Sequence, residues 1–314
     1  MPSTFEHYQH QFDDNVKDLA GSPSRSLLKE LVDQDSKQGS IAYLDYEKPD
    51  AAKGASDLKT KKTRKTYEAD ATKTLAKFNA IFTPHDETTK ERTLIAPQLI
   101  EYGHNFDEDV DILHIVSPKN PTIRNLGRNV FTDEDNLIIG GISAASVGRV
   151  TAASANEITA TSIALADVDN GNQIIETENV GFISVDDIGL IRERMELSYV
   201  DSKVYCLISP TDKRLMRKNN KDLANRDFVG SDHYFKTGEL PEIDGVCFIP
   251  HPLITAGTFY AFTRESVVLN TFMGLRSDLS REGTMRFSHQ AYIREKLDCK
   301  RVDDLLVVHG TVKS

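Results

Sequence analysis

The stretch NPTIRNLGRNVFTDEDNLIIGG, from Asn120 to Gly141, constrains this chain more than any other. Asn120 is placed to accept from free backbone N–H groups as an N-cap, and Pro121 follows at the first helical position, where a missing N–H costs nothing. Ile123, Leu126, Val130, Leu137 and Ile138 fall close to one stripe of the helical period. Gly140 and Gly141 read as the stop. At about 1.5 Å per residue the predicted helix is roughly 30 Å long, the width of a small domain. The chain before this helix is extended, charged and poorly able to bury itself. The chain after it has the pattern of a compact α+β body.

The chain has 314 residues, enough to bury roughly three quarters of its unfolded surface and to hold two subdomains. Hydrophobic residues make up 39% and charged ones 27%, which predicts a globular body with a large solvated or interfacial share. The net charge of −10 argues against coating nucleic acid, because phosphates call for a basic surface, but suits enclosing it without sticking. Cys206, Cys247 and Cys299 are far apart and lack CxxC spacing, so buried thiols in a reduced compartment are expected and a zinc site is not. Neither a signal-peptide pattern nor an apolar run of membrane-spanning length is present, and a soluble protein made in a cytoplasm is expected.

Along the chain, EHYQHQFDDNVKDLA places Tyr8, Phe12, Val16 and Leu19 near helical spacing. SRSLLKELV supplies a second short amphipathic piece with Leu27, Leu28, Leu31 and Val32, and Gly21-Ser22-Pro23 separates the two. His7 and His10 have chelating spacing but no further ligand nearby, so a solvated helix face is the better reading. Residues 39–99 open with IAYLDY and close with TLIAPQLI, two strand-like runs able to pair. Between them lies a long polar excursion, including KTKKTRK at Lys59–Lys65, of a kind that serves as a functional loop. On its own chemistry that basic run is either a solvated tip or a hairpin laid on a neighbouring subunit; a nucleic-acid patch would want interleaved aromatics.

NFDEDVD carries Asp107, Glu108, Asp109 and Asp111, but Ile112 and Pro118 stand where a calcium loop needs Gly and Glu. ITATSIALADVD, Asn170-Gly171 and NQIIE read as a hairpin, since Asn-Gly between strand-like runs is a strong turn signal. Ser184 with Asp187 three residues on predicts a capped helix burying Ile188, Ile191, Met195 and Tyr199. VYCLI reads as a strand, Ser209-Pro210 as the start of another helix, and VCFIP as a further strand. The strand-like tail (FYAFT, SVVLNTF, MRFSHQAYIRE, LLVVHGTV) must join a sheet begun earlier, beside the long helix.

Catalytic signatures are missing. There is no phosphate loop, GxGxxG, GxSxG elbow or HExxH, and Cys206 lies in an apolar strand where an inert thiol is expected. His251 between two prolines reads as a turn. No enzyme activity, cofactor or metal is expected.

The order and spacing of these segments resemble the major capsid proteins of tailed bacteriophages, with their Hong Kong 97-like α+β fold, over nearly the whole chain. FDDNVKDLAGSPSRSLLKELV is similar to the family's N-terminal arm, and TLIAPQLIEYGHNFDEDVD leads into Asn120–Gly141 as its extended loop leads into the spine helix. VYCLISPTDKRLMRK with NRDFVGSDHYFKTGELPEIDGVCFIPHPLI resembles the axial-domain cassette, and FYAFTRESVVL with the strands after it resembles the return into the peripheral domain. The resemblance implies an N-terminal arm at 1–38, an extended loop at 39–104 and a peripheral domain with the spine at 105–179. An axial domain at 180–257 and a return into the peripheral domain at 258–314 complete it. It further implies a non-enzymatic shell subunit that assembles with itself into hexamers and pentamers of an icosahedral head around packaged double-stranded DNA. Scaffolding, portal and cement proteins are the implied further partners, without a membrane, and the implied location is the virion, after assembly in the host bacterial cytoplasm. A loop reaching a neighbour would bring Lys59, Lys61, Lys62, Arg64 and Lys65 to acidic surface, with Asp107, Glu108, Asp109 and Asp111 the preferred target. Two other readings stand beside this one: an encapsulin-type compartment on the same fold, and a soluble enzyme with an unrecognised carboxylate site.

Overall fold

A computed structural model of the chain describes residues 9–16, 26–39, 42–48, 89–106, 121–143, 146–151, 160–163, 173–197, 202–220, 240, 242–282 and 288–313; for 42–48, 89–94, 146–151, 160–163, 197, 281–282 and 288 only the backbone is described. In chain order, helix α1 covers 9–16, followed by β1 (Asp33–Ser36), β2 (Ala42–Lys48), β3 (Thr89–Ile95) and β4 (Gln98–Phe106). Then come α2 (Pro121–Ser143), β5 (Ser146–Thr151), β6 (Ala160–Ile163), β7 (Ile174–Val180), α3 (Val185–Leu197), β8 (Val204–Ile208) and α4 (Pro210–Asn219). Strands β9 (Val246–Pro250), β10 (Thr258–Thr263), β11 (Val267–Glu282), β12 (Ser288–Arg301) and β13 (Val307–Lys313) complete the chain. The protein is α+β, in two compact units.

The first unit comprises Met1–Ala42, Ile95–Ile142 and Val267–Arg301. Its four-stranded sheet runs β1-β11-β12-β4. β11 and β12 pair antiparallel from Val267↔Arg301 to Glu282↔Ser288, with register shifts between Thr271 and Arg276. β4 continues the antiparallel ladder from Phe106↔His289 to Gln98↔Leu297, whereas β1 adds in parallel along Val268–Thr271. The spine α2 lies against this sheet, burying Ile123, Leu126, Val130, Ile138 and Ile142 as the helical period requires. Leu137, expected on that face, is half-buried.

Gly140 and Gly141 do not stop the helix, which continues to Ser143. A Cβ on Gly141 would meet Cys299 Sγ at 2.7 Å and its carbonyl oxygen at 2.9 Å, so this glycine lets the helix approach β12. At the end of α2 the fully buried Arg301 donates from Nη1 to the Ile142 carbonyl at 3.2 Å, satisfying one of the carbonyls a helix leaves free. The proposed cap, Asn120, lies outside the described residues.

The described residues of the N-terminal segment are better buried than its composition suggests. Phe12 and Val16 of α1 are buried, and Leu28 and Val32 are fully so. SRSLLKELV is not helical: residues 26–32 form turns that lead directly into β1. Side chains compete for the backbone there. The Ser26 hydroxyl accepts from Lys29 N–H, and the Asp135 carboxylate of α2 takes the Leu28 N–H at 3.2 Å.

The second unit comprises Tyr43–Leu94, Ser143–Ser266 and Val302–Ser314. Its five-stranded sheet runs β7-β13-β10-β8-β9, with the β8–β9 and β13–β7 pairs parallel and the others antiparallel. Alternate residues Val204, Cys206 and Ile208 of β8, Val246 and Phe248 of β9, and Phe259 and Ala261 of β10 form one face. Ile188, Ile191 and Met195 of α3 and Met216 of α4 pack into the same core.

Both helices start as their sequences predict. Ser184 Oγ accepts from Asp187 N–H at 3.2 Å while the Asp187 carboxylate accepts from Ser184 N–H at 2.7 Å, a reciprocal capping box. Ser209 caps α4, its Oγ accepting from Asp212 N–H at 3.1 Å and donating to the Asp212 carboxylate at 2.9 Å, with Pro210 at the first position. Asp212 then reaches Gly257 N–H at 3.0 Å, fixing the turn before β10.

A second four-stranded sheet of this unit, β2-β3-β5-β6, brings IAYLDY beside TLIAPQLI as expected, with the latter broken at Ala96-Pro97 into β3 and β4. The expected hairpin about Asn170-Gly171 has its turn and the adjoining residues 164–172 outside the described residues. Of the described parts of the two runs, β6 is paired with the preceding strand β5 and β7, in parallel, with the distant β13.

Candidate functional site

Chemistry in the described residues is quiet. Cys206 and Cys299 are buried, and burial pushes both thiols far above their ordinary pKa, the reverse of what a nucleophile needs. His251 is buried, and its Nδ1 accepts from Leu253 N–H at 3.3 Å, so the ring supports its own turn. Among the described residues no group of three or more His, Cys, Asp or Glu is placed to hold a metal. No described helix is long and apolar enough to cross a membrane.

What the two units offer is surface. Among the described residues the sheets end in edge strands: β1 and β4 in the first unit, and β7 and β9, with β2 and β6, in the second. Such edges present open N–H and C=O rows to another chain. β4 is the longest of these at nine residues, with Leu99 exposed upon it. On the second unit a groove of about 460 Å³ runs beside α3, walled by Glu178, Asp186, Glu193 and Asp244 over Val185 and Leu190. α4 turns Arg214, Arg217 and Lys218 to the exterior. Acidic and basic faces thus occupy different helices of one unit.

The residues singled out from sequence for contact between subunits (Lys59, Lys61, Lys62, Arg64 and Lys65, with Asp107, Glu108, Asp109 and Asp111) all lie outside the described residues. Sequence reasoning passed over Lys29, Glu134, Asp135 and Glu295, which meet in the first unit. Ser26 Oγ donates to Asp135 Oδ1 at 2.6 Å, and Lys29 Nζ stands 2.5 Å from Glu134 Oε1. The available signal was Glu134-Asp135 falling on the apolar face of the spine rather than on its solvated one.

No protein-family model matches the chain, and no curated protein matches it in sequence. Solved structures do. The capsid chain of cyanophage P-SCSP1u aligns over 92% of this chain and 89% of its own, with TM-score 0.57 and 12% identity. A chain of Mycobacterium phage Che8 aligns over 91% of both, with TM-score 0.59 and 12% identity. The virus-like particle from Pyrococcus furiosus aligns over 96% of this chain and 98% of that one, with TM-score 0.54 and 11% identity. At such identities the likeness speaks for the backbone alone, and it runs nearly end to end: the chain has the Hong Kong 97-like fold of tailed-phage capsid proteins.

Proposed function

We propose that this chain is the major capsid protein of a tailed double-stranded DNA bacteriophage, assembling with itself into the head shell and performing no catalysis. The observation that carries the reading is fold likeness to phage capsid chains over about nine tenths of both partners. The quiet chemistry and the net charge of −10 are consistent with a wall that contains DNA without gripping it. In this reading residues 1–38 are the arm and 39–104 the extended loop. The loop's basic tip at Lys59–Lys65 is laid on a neighbour's Asp107–Asp111 acids, and scaffolding, portal and cement proteins are the further partners.

A second reading, a protein compartment shell, is favoured by the alignment to the archaeal virus-like particle over almost all of both chains. Negative-stain microscopy of the purified protein tests both. Hollow shells are expected; particles that copurify with nuclease-resistant DNA in the presence of phage packaging functions support the first reading, and enclosed protein without DNA the second. Absence of any shell or ring under all conditions overturns the assembly role.

A further inference from the structure

In the first unit a cavity of about 280 Å³ lies between the segment 26–36 and the layer formed by α2, β11 and β12. Lys29, Glu30 and Gln34 line it from the segment, Glu134 from α2, Leu275 from β11 and Glu295 from β12. Glu134 and Glu295 are each 1% exposed. Glu295 Oε1 has no hydrogen-bond partner among the described residues, although buried groups of this kind are nearly always paired. Among the described residues lining the cavity Lys29, bonded to Glu134, is the only cation, and Ile100 of β4 stands opposite Glu295 in register. Glu30 is exposed, so two buried carboxyls face one ammonium, and these three are neutral together only if Glu295 keeps its proton.

We propose that residues 26–36 form a proton-gated strap, seated on α2 and β12 while the Glu295 carboxyl keeps its proton beside Glu134 and Lys29, and released as that proton is lost. Ser26 Oγ and Leu28 N–H hold the strap to Asp135 and Lys29 holds it to Glu134, Leu28 and Val32 are buried beneath it, and the four-residue parallel strand β1 completes the seat.

Burial first, and then the charge of Glu134, raise the Glu295 carboxyl to about 8, with Lys29 pulling the other way. A strap that lifts wets the cavity and lets Glu295 titrate in the ordinary carboxylate range near about 4.3. The closed state therefore binds the proton more tightly. Closure is fullest at low pH, weakens through the interval between those two values by up to about tenfold per pH unit, and is constant above it.

Hydrogen exchange with mass spectrometry on the full chain from pH 5 to 9 reads this directly. Rates are corrected for base catalysis, and core peptides from β10 and β13 serve as internal reference. Protection of amides 28–36 is expected to fall by tenfold or more, up to about tenfold per unit, towards pH 8 and then level off. Glu295→Gln keeps the shape and a donor for Glu134 but has no proton to lose, so its strap should stay protected across the range. A flat wild-type profile, or the same fall in Glu295→Gln, overturns the proposal. Glu134→Gln removes the neighbouring charge and provides a second reading should Glu295→Gln lose protection in the reference peptides. Its fall should end at lower pH than in the wild type, and an unmoved interval also overturns the proposal.

Discussion

A methyl group added at Gly310 would lie 1.8 Å from Cζ of Phe259, a ring that is itself fully buried. The ring has no room to swing, because cores are packed to crystal-like density. Gly310→Ala is expected to cost about 1–3 kcal/mol or more, read as a lower denaturation midpoint or as loss of soluble protein. The adjacent pair Gly140-Gly141 makes a sharper comparison. Alanine at 141 meets the sulfur and backbone of Cys299, whereas alanine at 140 meets nothing within 4 Å and gains helix propensity of up to about 1 kcal/mol. The two substitutions should therefore move the denaturation midpoint in opposite directions, and a common sign would mean that the contact of α2 with β12 is misplaced. Sequence shows that a glycine is present; whether it ends a helix or admits a neighbour depends on a residue far away, here Cys299.

Local signals carried the element scale well. The caps at Ser184 and Ser209 are fixed by residues within one helical turn, so both helix starts were legible. The spine was legible from its helical period, and its face can be tested. Leu126 is buried on α2, so Leu126→Asp places a carboxylate in an apolar layer and should cost several kcal/mol, about 2–5, with insoluble or unassembled protein as the readout. Normal assembly of that mutant would put the face elsewhere. Where competition came from a distant group, the local pattern misled. SRSLLKELV has helical spacing, but Asp135 and Ser26 draw its N–H groups into turns. The run after Asn170-Gly171 also joins β13 in parallel, a ladder that no local pattern reveals.

At the scale of the whole molecule, the chain crosses between its two units within the final strand-rich tail, at Ser266–Val267 and again at Arg301–Val302. Strand follows strand at both crossings, β10 to β11 and β12 to β13, and only pairing separates them. The order of segments, by contrast, was enough for the resemblance to a capsid fold, because a long helix between an extended loop and an α+β cassette is an uncommon arrangement. The basic tip belongs to this scale as well, since its purpose in the proposed shell lies on another copy. Lys59–Lys65 carries five basic residues and no acid, so with a chain total of −10 the remainder stands at −10 − 5 = −15. A loop reaching a neighbour meets acidic surface almost anywhere. Pairs between solvated charges contribute only about 0–1 kcal/mol each and are screened by salt. In a ring every subunit gives and receives the same contact, so small terms add, while weak single contacts let a misplaced subunit leave before closure. Reversing Lys61, Lys62, Arg64 and Lys65 to Glu should leave the subunit folded by circular dichroism but make shell assembly fail or depend strongly on salt. Shells that close as before while only DNA retention suffers would place the loop against the genome instead.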